Sequence, residues 1–183
     1  MGIARFGMTM SLDGFVADRN GDARMLYPDL DELRNTEVLQ EQIETTGAVV
    51  MGRRTYDMAK GDWTGYEFQV PIFVLTHRVP ATPAKGLTFT FVTDGVESVM
   101  RQAHAAAGDK DVTVVGGPNT GQQLLRAGLL DEIQISIMSI LLGEGLRLFE
   151  RLGPEAIHLE RVKVIESPIR TDIRFRVVKA KHA

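Results

Sequence analysis

The sequence predicts a three-layer α/β fold, with a mostly parallel central sheet, helices on both faces and an antiparallel C-terminal hairpin. Strand-like runs alternate with helix-like segments as far as residue 127, and this alternation is typical of βαβ units. Beyond that point three strand-like segments follow without helices between them. The last two join across Ser167 and Pro168, which favours an antiparallel hairpin at the sheet edge. A chain of 183 residues is most simply one domain spanning residues 1–183.

The individual elements follow from the spacing of apolar residues. A strand is expected over residues 3–10, followed by a polar turn at 11–14, a loop to about 28 and a helix over about 30–45. Further strands are predicted at 47–51, 71–75, 87–92 and 112–115, with helices near 53–60, 95–107 and 118–127. Strand-like segments at 131–140, 157–165 and 171–179 complete the pattern.

The composition is that of a globular protein, with 44% hydrophobic and 25% charged residues. A net charge of −3 without a basic arm argues against nucleic-acid and anionic-membrane partners. The absence of cysteine excludes disulfides, thiolate catalysis and cysteine-bound zinc, and the four histidines lack metal-ligand spacing. Neither a signal peptide nor an apolar run of the ~18 residues that span a membrane is found, so a cytoplasmic protein is expected.

A pair of glycines separates a strand-like run from a predicted helix. Gly116 and Gly117 let the backbone approach a ligand, and the helix begins with Pro118, Asn119 and Thr120, where unpaired N–H groups suit an anion. The segment is neither a P-loop nor a Rossmann fingerprint, because the following residues and the glycine spacing differ. A tight strand-to-helix turn with proline at the first helical position explains it equally well.

A second strand end has a similar layout and adds charge. Gly52 is followed by Arg53, Arg54 and Thr55 at the start of a short predicted helix. Two guanidinium groups and a hydroxyl favour an anion there, and a solvated arginine pair is the alternative. Two phosphate-sized sites on one sheet indicate a dinucleotide.

A third strand end is followed by Thr76, His77 and Arg78. A hydroxyl, an imidazole and a guanidinium would suit a phosphate monoester, such as the 2′-phosphate that separates NADP from NAD. Ordinary loop residues would have the same spacing, so the pattern does not choose between the two interpretations.

Two carboxylates are candidate catalytic groups. Asp13 lies in the Ser-Leu-Asp-Gly turn, which favours a turn role over catalysis. Asp29 is an acid that a substrate pocket would present, and with Glu32 it also forms a capping-box-like helix start. The two roles of Asp29 are compatible.

Several motifs in order resemble the dihydrofolate reductase-like superfamily, and most closely the reductase domain of the riboflavin-biosynthesis deaminase–reductase. They are MSLDG at residues 10–14, MGRRTY at 51–56, VVGG at 114–117, LDEI at 130–133 and LGEGLRLF at 142–149. Because the motifs keep their order over nearly the whole chain, the set is far more specific than any one of them.

The resemblance implies NADPH as the cofactor. It implies contacts to the cofactor phosphates from Gly52, Arg53, Arg54 and Thr55, to the adenosine 2′-phosphate from Thr76, His77 and Arg78, and to the pyrophosphate and nicotinamide side from Gly116, Gly117, Asn119 and Thr120. Asp29 aligns with the substrate-binding carboxylate of dihydrofolate reductases.

The acceptor half departs from the riboflavin-pathway pattern, since Gly7 stands where a lysine is expected and residues 37–46 lack basic side chains. The expected activity is hydride transfer from NADPH to a small pteridine- or pyrimidine-like heterocycle, similar to 5-amino-6-(5-phosphoribosylamino)uracil reductase. The alternatives are a nucleotide-binding protein without turnover and a reductase with another hydride carrier. The resemblance also implies a homodimer, and residues 133–142 suit either its contact or a buried central strand.

Overall fold

The computed structural model describes residues 2–28 and 30–179. The strands are β1 (Ala4–Ser11), β2 (Phe15–Ala17), β3 (Thr46–Gly52), β4 (Ile72–Leu75), β5 (Phe89–Val92), β6 (Asp111–Val115), β7 (Glu132–Met138), β8 (Leu146–Arg147), β9 (Leu159–Glu166) and β10 (Arg170–Val177). The helices are α1 (Leu30–Leu33), α2 (Glu37–Thr45), α3 (Arg53–Met58), α4 (Val96–Ala107) and α5 (Pro118–Arg126), with a 3-10 turn at Arg24–Leu26.

Eight of the strands form one sheet in the order β5-β4-β3-β6-β1-β7-β10-β9. The six strands from β5 to β7 are parallel to their neighbours, whereas β10 is antiparallel to both β7 and β9. The predicted parallel sheet with an antiparallel C-terminal hairpin is thereby confirmed. Because six strands run the same way, their carboxyl ends share one edge of the sheet, which is where α/β folds place ligands.

Two apolar clusters hold helices against opposite faces of the sheet. On one face, Phe6 of β1 is fully buried beneath α5, and Gly121 is required there because a Cβ atom would lie 2.3 Å from the Phe6 ring. On the other face, Val49 and Met51 of β3 are fully buried among apolar residues of α2 and α3. The predicted three layers are confirmed. No helix within the two described ranges is both long and apolar enough to cross a membrane.

The structure corrects the prediction of one helix over residues 30–45. The Thr36 hydroxyl donates to the Leu33 carbonyl oxygen over 2.8 Å and accepts the Leu39 N–H over 3.3 Å. Thr36 therefore ends α1 and caps α2, because a threonine side chain at this position satisfies an N–H group that the new helix leaves unpaired. Apolar periodicity continues across the break and conceals it.

The predicted loop over residues 15–28 is also wrong in part. It contains β2, which pairs with the two-residue β8 in a separate antiparallel sheet, and the 3-10 turn at Arg24–Leu26. Strands this short have no periodicity of their own. They form because Leu148 N–H donates to the carbonyl oxygen of Gly14 and β8 is brought alongside β2.

Candidate active site

The two glycine turns predicted from the sequence meet at the carboxyl edge of the sheet. Gly52 N–H donates to the carbonyl oxygen of Gly116 over 3.2 Å. Gly116 has a φ of +69° and is joined to Gly117 by a cis peptide bond. A Cβ atom on Gly52 would lie 2.6 Å from the hydroxyl oxygen of Thr120. The Thr120 side chain approaches so closely that only glycine fits position 52 without a shift, and the hydrogen bond joins the two turns into one surface.

The side chains around this surface come from three further elements. A Cβ atom on Gly116 would lie 3.1 Å from the Thr55 hydroxyl and 3.3 Å from the Met8 sulfur. Pro118 is the first residue of α5, immediately after the Gly116–Gly117 turn. Asn119, one residue later, is exposed and its side-chain oxygen accepts a 2.6 Å hydrogen bond from Gln123. The edge thus brings together the Thr55 hydroxyl, the Asn119 side-chain amide and the start of α5.

The third predicted strand end adjoins the second. The Arg53 guanidinium donates from Nη1 to the carbonyl oxygen of Arg78 over 2.7 Å and pairs with Asp57 over 2.9 Å. Thr76 Oγ1 donates to the same carbonyl oxygen over 3.0 Å and accepts the Arg78 N–H over 3.2 Å. Arg53 therefore joins the loops after β3 and β4, while the side chains of His77 and Arg78 are exposed.

Arg54 lies apart from this pair. Its side chain is exposed, and its Nη2 atom lies 2.7 Å from the point that a Cβ atom on Gly21 would occupy. Arg54 therefore approaches the loop after β2, whereas Arg53 approaches the loop after β4. The two adjacent arginines lie along different loops at the same edge of the sheet.

Asp13, one of the two candidate catalytic carboxylates, is held by backbone N–H groups of a distant loop. Asp13 accepts backbone N–H groups from Leu142 over 3.1 Å and from Gly143 over 2.7 Å. Hydrogen bonds from Ser11, Gly143 and Leu142 lower the pKa of Asp13 to about 2. Asp13 is therefore ionised at neutral pH and has no proton to donate, which agrees with a turn role. Its part in catalysis stays a prediction, and Asp29 lies outside the described residues.

Sequence reasoning missed a polar surface on the sheet, beneath α2. We call it the polar face; its members are Thr9, Gln134, Lys163, Ser136, Asp172 and Arg174. Thr9 and Gln134 are about 95% buried, Ser136 donates to the Asp172 carboxylate, and Arg174 donates to Gln134 over 3.0 Å. The signal was the alternation of Glu132, Gln134 and Ser136 along β7, since residues two apart share a face.

The polar face borders the carboxyl edge through the strand register. Thr9, Ser136 and Asp172 are paired across β1, β7 and β10, and each lies two residues from the end of its strand at the carboxyl edge. Within the described part of the chain, no group of three metal-ligating side chains is placed to hold a metal ion. The carboxyl edge, by contrast, has side chains that suit a dinucleotide: the Thr55 hydroxyl lies beside the Gly116–Gly117 turn at the start of α5, and His77 and Arg78 are exposed on the next loop.

A comparison with models of protein families shows which family the chain belongs to. The model of the RibD C-terminal domain matches residues 5–171, which is most of the chain. The chain belongs to this family. It is a family of NADPH-dependent pyrimidine reductases.

Individual proteins that resemble the chain have low sequence identity to it. YwjB from Bacillus subtilis, an uncharacterized protein, is 24% identical over 149 residues, covering 81% of this chain and 83% of YwjB. A putative riboflavin biosynthesis protein from Shewanella superposes with a TM-score of 0.80 at 23% identity, covering 97% of this chain and 99% of that protein. At such identities the likeness establishes the fold.

Two further structures show how widely this fold is shared. The Thermotoga maritima deaminase/5-amino-6-(5-phosphoribosylamino)uracil reductase has a TM-score of 0.70 at 19% identity, covering 97% of this chain and 57% of that protein. Dihydrofolate reductase from Enterococcus faecalis, in complex with NADP(H), has a TM-score of 0.66 at 14% identity, covering 97% and 98%. The resemblance predicted from the sequence motifs is confirmed.

Proposed function

We propose that the protein is an NADPH-dependent reductase that transfers a hydride to a small pteridine- or pyrimidine-like heterocycle. The observation that carries this proposal is the joined surface of the two glycine turns, where Gly52 N–H meets the Gly116 carbonyl oxygen. The surface lies at the carboxyl edge of a parallel sheet, the position where α/β folds bind dinucleotides. Membership of the RibD C-terminal domain family supports the same assignment.

Two groups of residues at this edge would bind different parts of the cofactor. Thr55 and the start of α5 lie beside the Gly116–Gly117 turn and would hold the pyrophosphate, because amides and hydroxyls suit an anion. Arg53 and the Thr76–Arg78 loop are linked through the Arg78 carbonyl oxygen and would hold the adenosine 2′-phosphate. NADPH is favoured over NADH because His77 and Arg78 leave their side chains exposed at this loop.

The chain's own residues would orient the two reactants and limit the access of water. NADPH, when bound, supplies the hydride, and the acceptor takes one hydride and one proton. Met8 lies beside Gly116, so it would pack against the reacting end of the cofactor. Asp13 is ionised and fixes the loop at Leu142 and Gly143, so the proton would come through Asp29 or an ordered water.

Absorbance of the nicotinamide provides the test. NADPH is mixed with the protein and a panel of pterins, dihydrofolates and aminouracils, and loss of the reduced-nicotinamide band is followed. Oxidation that depends on one heterocycle and disappears in Gly52→Ala is the expected result. Tight NADPH binding without oxidation of any compound would instead favour a nucleotide-binding protein without turnover. Faster oxidation of NADH would identify another hydride carrier.

We also propose a homodimer, with a contact that differs from the one expected from the sequence. Ile133, Ile135 and Met138 are buried in the central strand β7, which favours the buried-strand alternative for this part of residues 133–142. The last strand of the sheet, β9, instead exposes Leu159, Val162 and Val164, each more than 40% accessible. An edge strand with exposed apolar side chains suits a second copy of the chain. Sedimentation of the wild type and of Val162→Lys tests this contact, with a monomeric variant expected.

A further inference from the structure

The two adjacent arginines after β3 differ in what their guanidinium groups contact. Arg53 donates to the Asp57 carboxylate over 2.9 Å and to the carbonyl oxygen of Arg78 over 2.7 Å. Arg54 is exposed, and it forms no hydrogen bond or ion pair with any residue that the structure describes. Arg54 therefore keeps its charge and its guanidinium donors available for an anion.

The Arg54 guanidinium lies in the space that a side chain at position 21 would occupy. Its Nη2 atom is 2.7 Å, and its Cζ atom 3.8 Å, from the point where a Cβ atom on Gly21 would lie. Gly21 has a φ of +82°, which glycine adopts without strain. Glycine at this position therefore allows both the left-handed backbone and the close approach of Arg54.

The turn that carries Gly21 is held by its own hydrogen bonds. Gly21 N–H donates to the carbonyl oxygen of Asp18 over 3.0 Å, and Asp18 N–H donates to that of Asp22 over 2.9 Å. The Asp18 carboxylate accepts the N–H groups of Asn20 over 2.8 Å and of Asp22 over 2.9 Å. The position of Gly21 is thus fixed by the turn itself.

The two carboxylates of this turn are directed away from Arg54. Hydrogen bonds from the Asp22 and Asn20 N–H groups lower the pKa of Asp18, and those from Arg24 lower the pKa of Asp22 to about 2. Both groups are anions at neutral pH, but Asp22 pairs with Arg24 over 2.5 Å, and neither carboxylate is within ion-pair distance of Arg54. Arg54 therefore packs against the turn without being neutralised by it.

The turn is also joined to the loop after β7. Strand β2, which precedes the turn, pairs with β8, and Leu148 N–H donates to the carbonyl oxygen of Gly14 over 3.0 Å. Arg19 lies 3.2 Å from Glu144, an exposed ion pair of the kind that contributes little. Strand pairing therefore provides most of the support, and Arg54 lies against a preformed wall.

The surroundings of Arg54 indicate which phosphate it would meet. Thr55, the next residue, has its hydroxyl 3.1 Å from the point where a Cβ atom on Gly116 would lie. Arg53 contacts the loop after β4, on one side of β3, whereas Arg54 approaches the loop after β2, which follows β1 on the other side of β3 and β6. Arg54 is thus on the side of the glycine turns away from the Thr76–Arg78 loop, where the pyrophosphate common to NADPH and NADH would lie.

We infer that Gly21 is a positioning residue of the cofactor site: it leaves the space in which the 18–22 turn holds the Arg54 guanidinium ready for the cofactor pyrophosphate. A guanidinium can donate to two phosphate oxygens at once. An arginine that is already held in place loses less side-chain entropy when it binds. This inference rests on the proposed reductase function.

The first test is a calorimetric titration of the wild type, Gly21→Ala and Gly65→Ala with NADPH. Gly65→Ala is the matched control, because Gly65 has a φ of +81° and nothing within 4 Å of its Cβ position. Both substitutions strain the backbone equally, but only Gly21→Ala displaces Arg54. We expect the Kd for NADPH to rise about tenfold in Gly21→Ala, as for loss of one hydrogen bond to a charged group, and to change less than about twofold in Gly65→Ala.

The second test separates an effect through Arg54 from a general disturbance of the site. Arg54→Ala and the double variant Gly21→Ala/Arg54→Ala complete a double-mutant cycle. We expect Gly21→Ala to have no further effect on the Kd once Arg54 is absent. The Kd for NADH should rise by the same factor as that for NADPH, because both dinucleotides carry the pyrophosphate.

Three results would overturn the inference. They are an unchanged NADPH affinity in Gly21→Ala, an equal loss with and without Arg54, and a loss confined to NADPH. If Gly21→Ala does not fold, Gly21→Asn replaces it, because asparagine tolerates positive φ and its Cβ atom displaces Arg54 in the same way. A wild type that does not bind NADPH would remove the reductase proposal and this inference with it, whereas wild-type binding that is insensitive to position 21 removes the inference alone.

Discussion

The backbone N–H of Gly52 donates to the carbonyl oxygen of Gly116 over 3.2 Å, which joins the ends of β3 and β6. Sixty-four positions separate these glycines in the chain. Their contact turns two short glycine motifs into one surface, and Thr120 covers that surface at a distance that leaves no room for a Cβ atom on Gly52.

Gly52→Ala should disturb the surface through packing rather than backbone strain. Gly52 has a φ of −81°, which alanine adopts, but the new methyl group would lie 2.6 Å from Thr120 Oγ1. We expect a loss of about 1–3 kcal/mol in the free energy of unfolding, the usual effect of overpacking, and weaker NADPH binding. Urea unfolding measures the first and fluorescence titration of Trp63, the only tryptophan, measures the second. Thr120→Ala in the same chain should restore much of the loss, and the single Thr120→Ala variant completes the double-mutant cycle.

Arg53→Ala and Arg54→Ala test the phosphate contacts. Each is expected to weaken NADPH binding by about 1–3 kcal/mol, the range for a lost charged hydrogen bond. Asp57→Asn is the control for Arg53, because it removes the ion pair at 2.9 Å and keeps the guanidinium. Unchanged NADPH affinity in both arginine variants would show that neither arginine contacts the cofactor phosphates.

Arg78→Ala tests the choice between NADPH and NADH. The contacts of Arg78 with Thr76 and Arg53 use its backbone N–H and carbonyl oxygen, so removing the side chain leaves the loop in place. We expect NADPH affinity to fall by about 1.5–3 kcal/mol, as for hydrogen bonds to charged groups, and NADH affinity to stay constant. Equal losses for both dinucleotides would show that Arg78 does not contact the 2′-phosphate.

The Asp13 contact predicts how stability depends on pH. The pKa of Asp13 is lowered from 3.8 to about 2 in the folded protein. A lowered pKa contributes stability that is present above the unfolded value and is lost as the pH falls through the folded value. Wild type should therefore be more stable than Asp13→Asn at neutral pH, and the difference should shrink between about pH 4 and about pH 2. Thermal unfolding of both proteins across this range measures it, and a constant difference would contradict the role of the carboxylate charge.

Much of the architecture was predictable because its signals are local. The apolar strands β3, β4 and β6, the glycines after β3 and β6, and the C-terminal hairpin all follow from residues close together in the chain. The break between α1 and α2 was missed, since Thr36 caps a helix inside an otherwise continuous apolar pattern. Strands β2 and β8 were missed because each forms only when the other is beside it.

The candidate site, too, was predictable from the sequence only in part. The amino-acid pattern alone indicated which residues lie at the carboxyl edge of the sheet, because the glycines, arginines and hydroxyls follow directly after apolar strands in the chain. Their contacts with a cofactor stay a prediction. The pattern did not show that Arg53 contacts the Arg78 backbone while Arg54 approaches Gly21, since loop contacts depend on the whole sheet. The ion pair that Arg174 of the polar face forms was equally hidden. Arg174 and Glu41 are 133 residues apart, and only the register of β7, β10 and β9 beneath α2 brings their charges together.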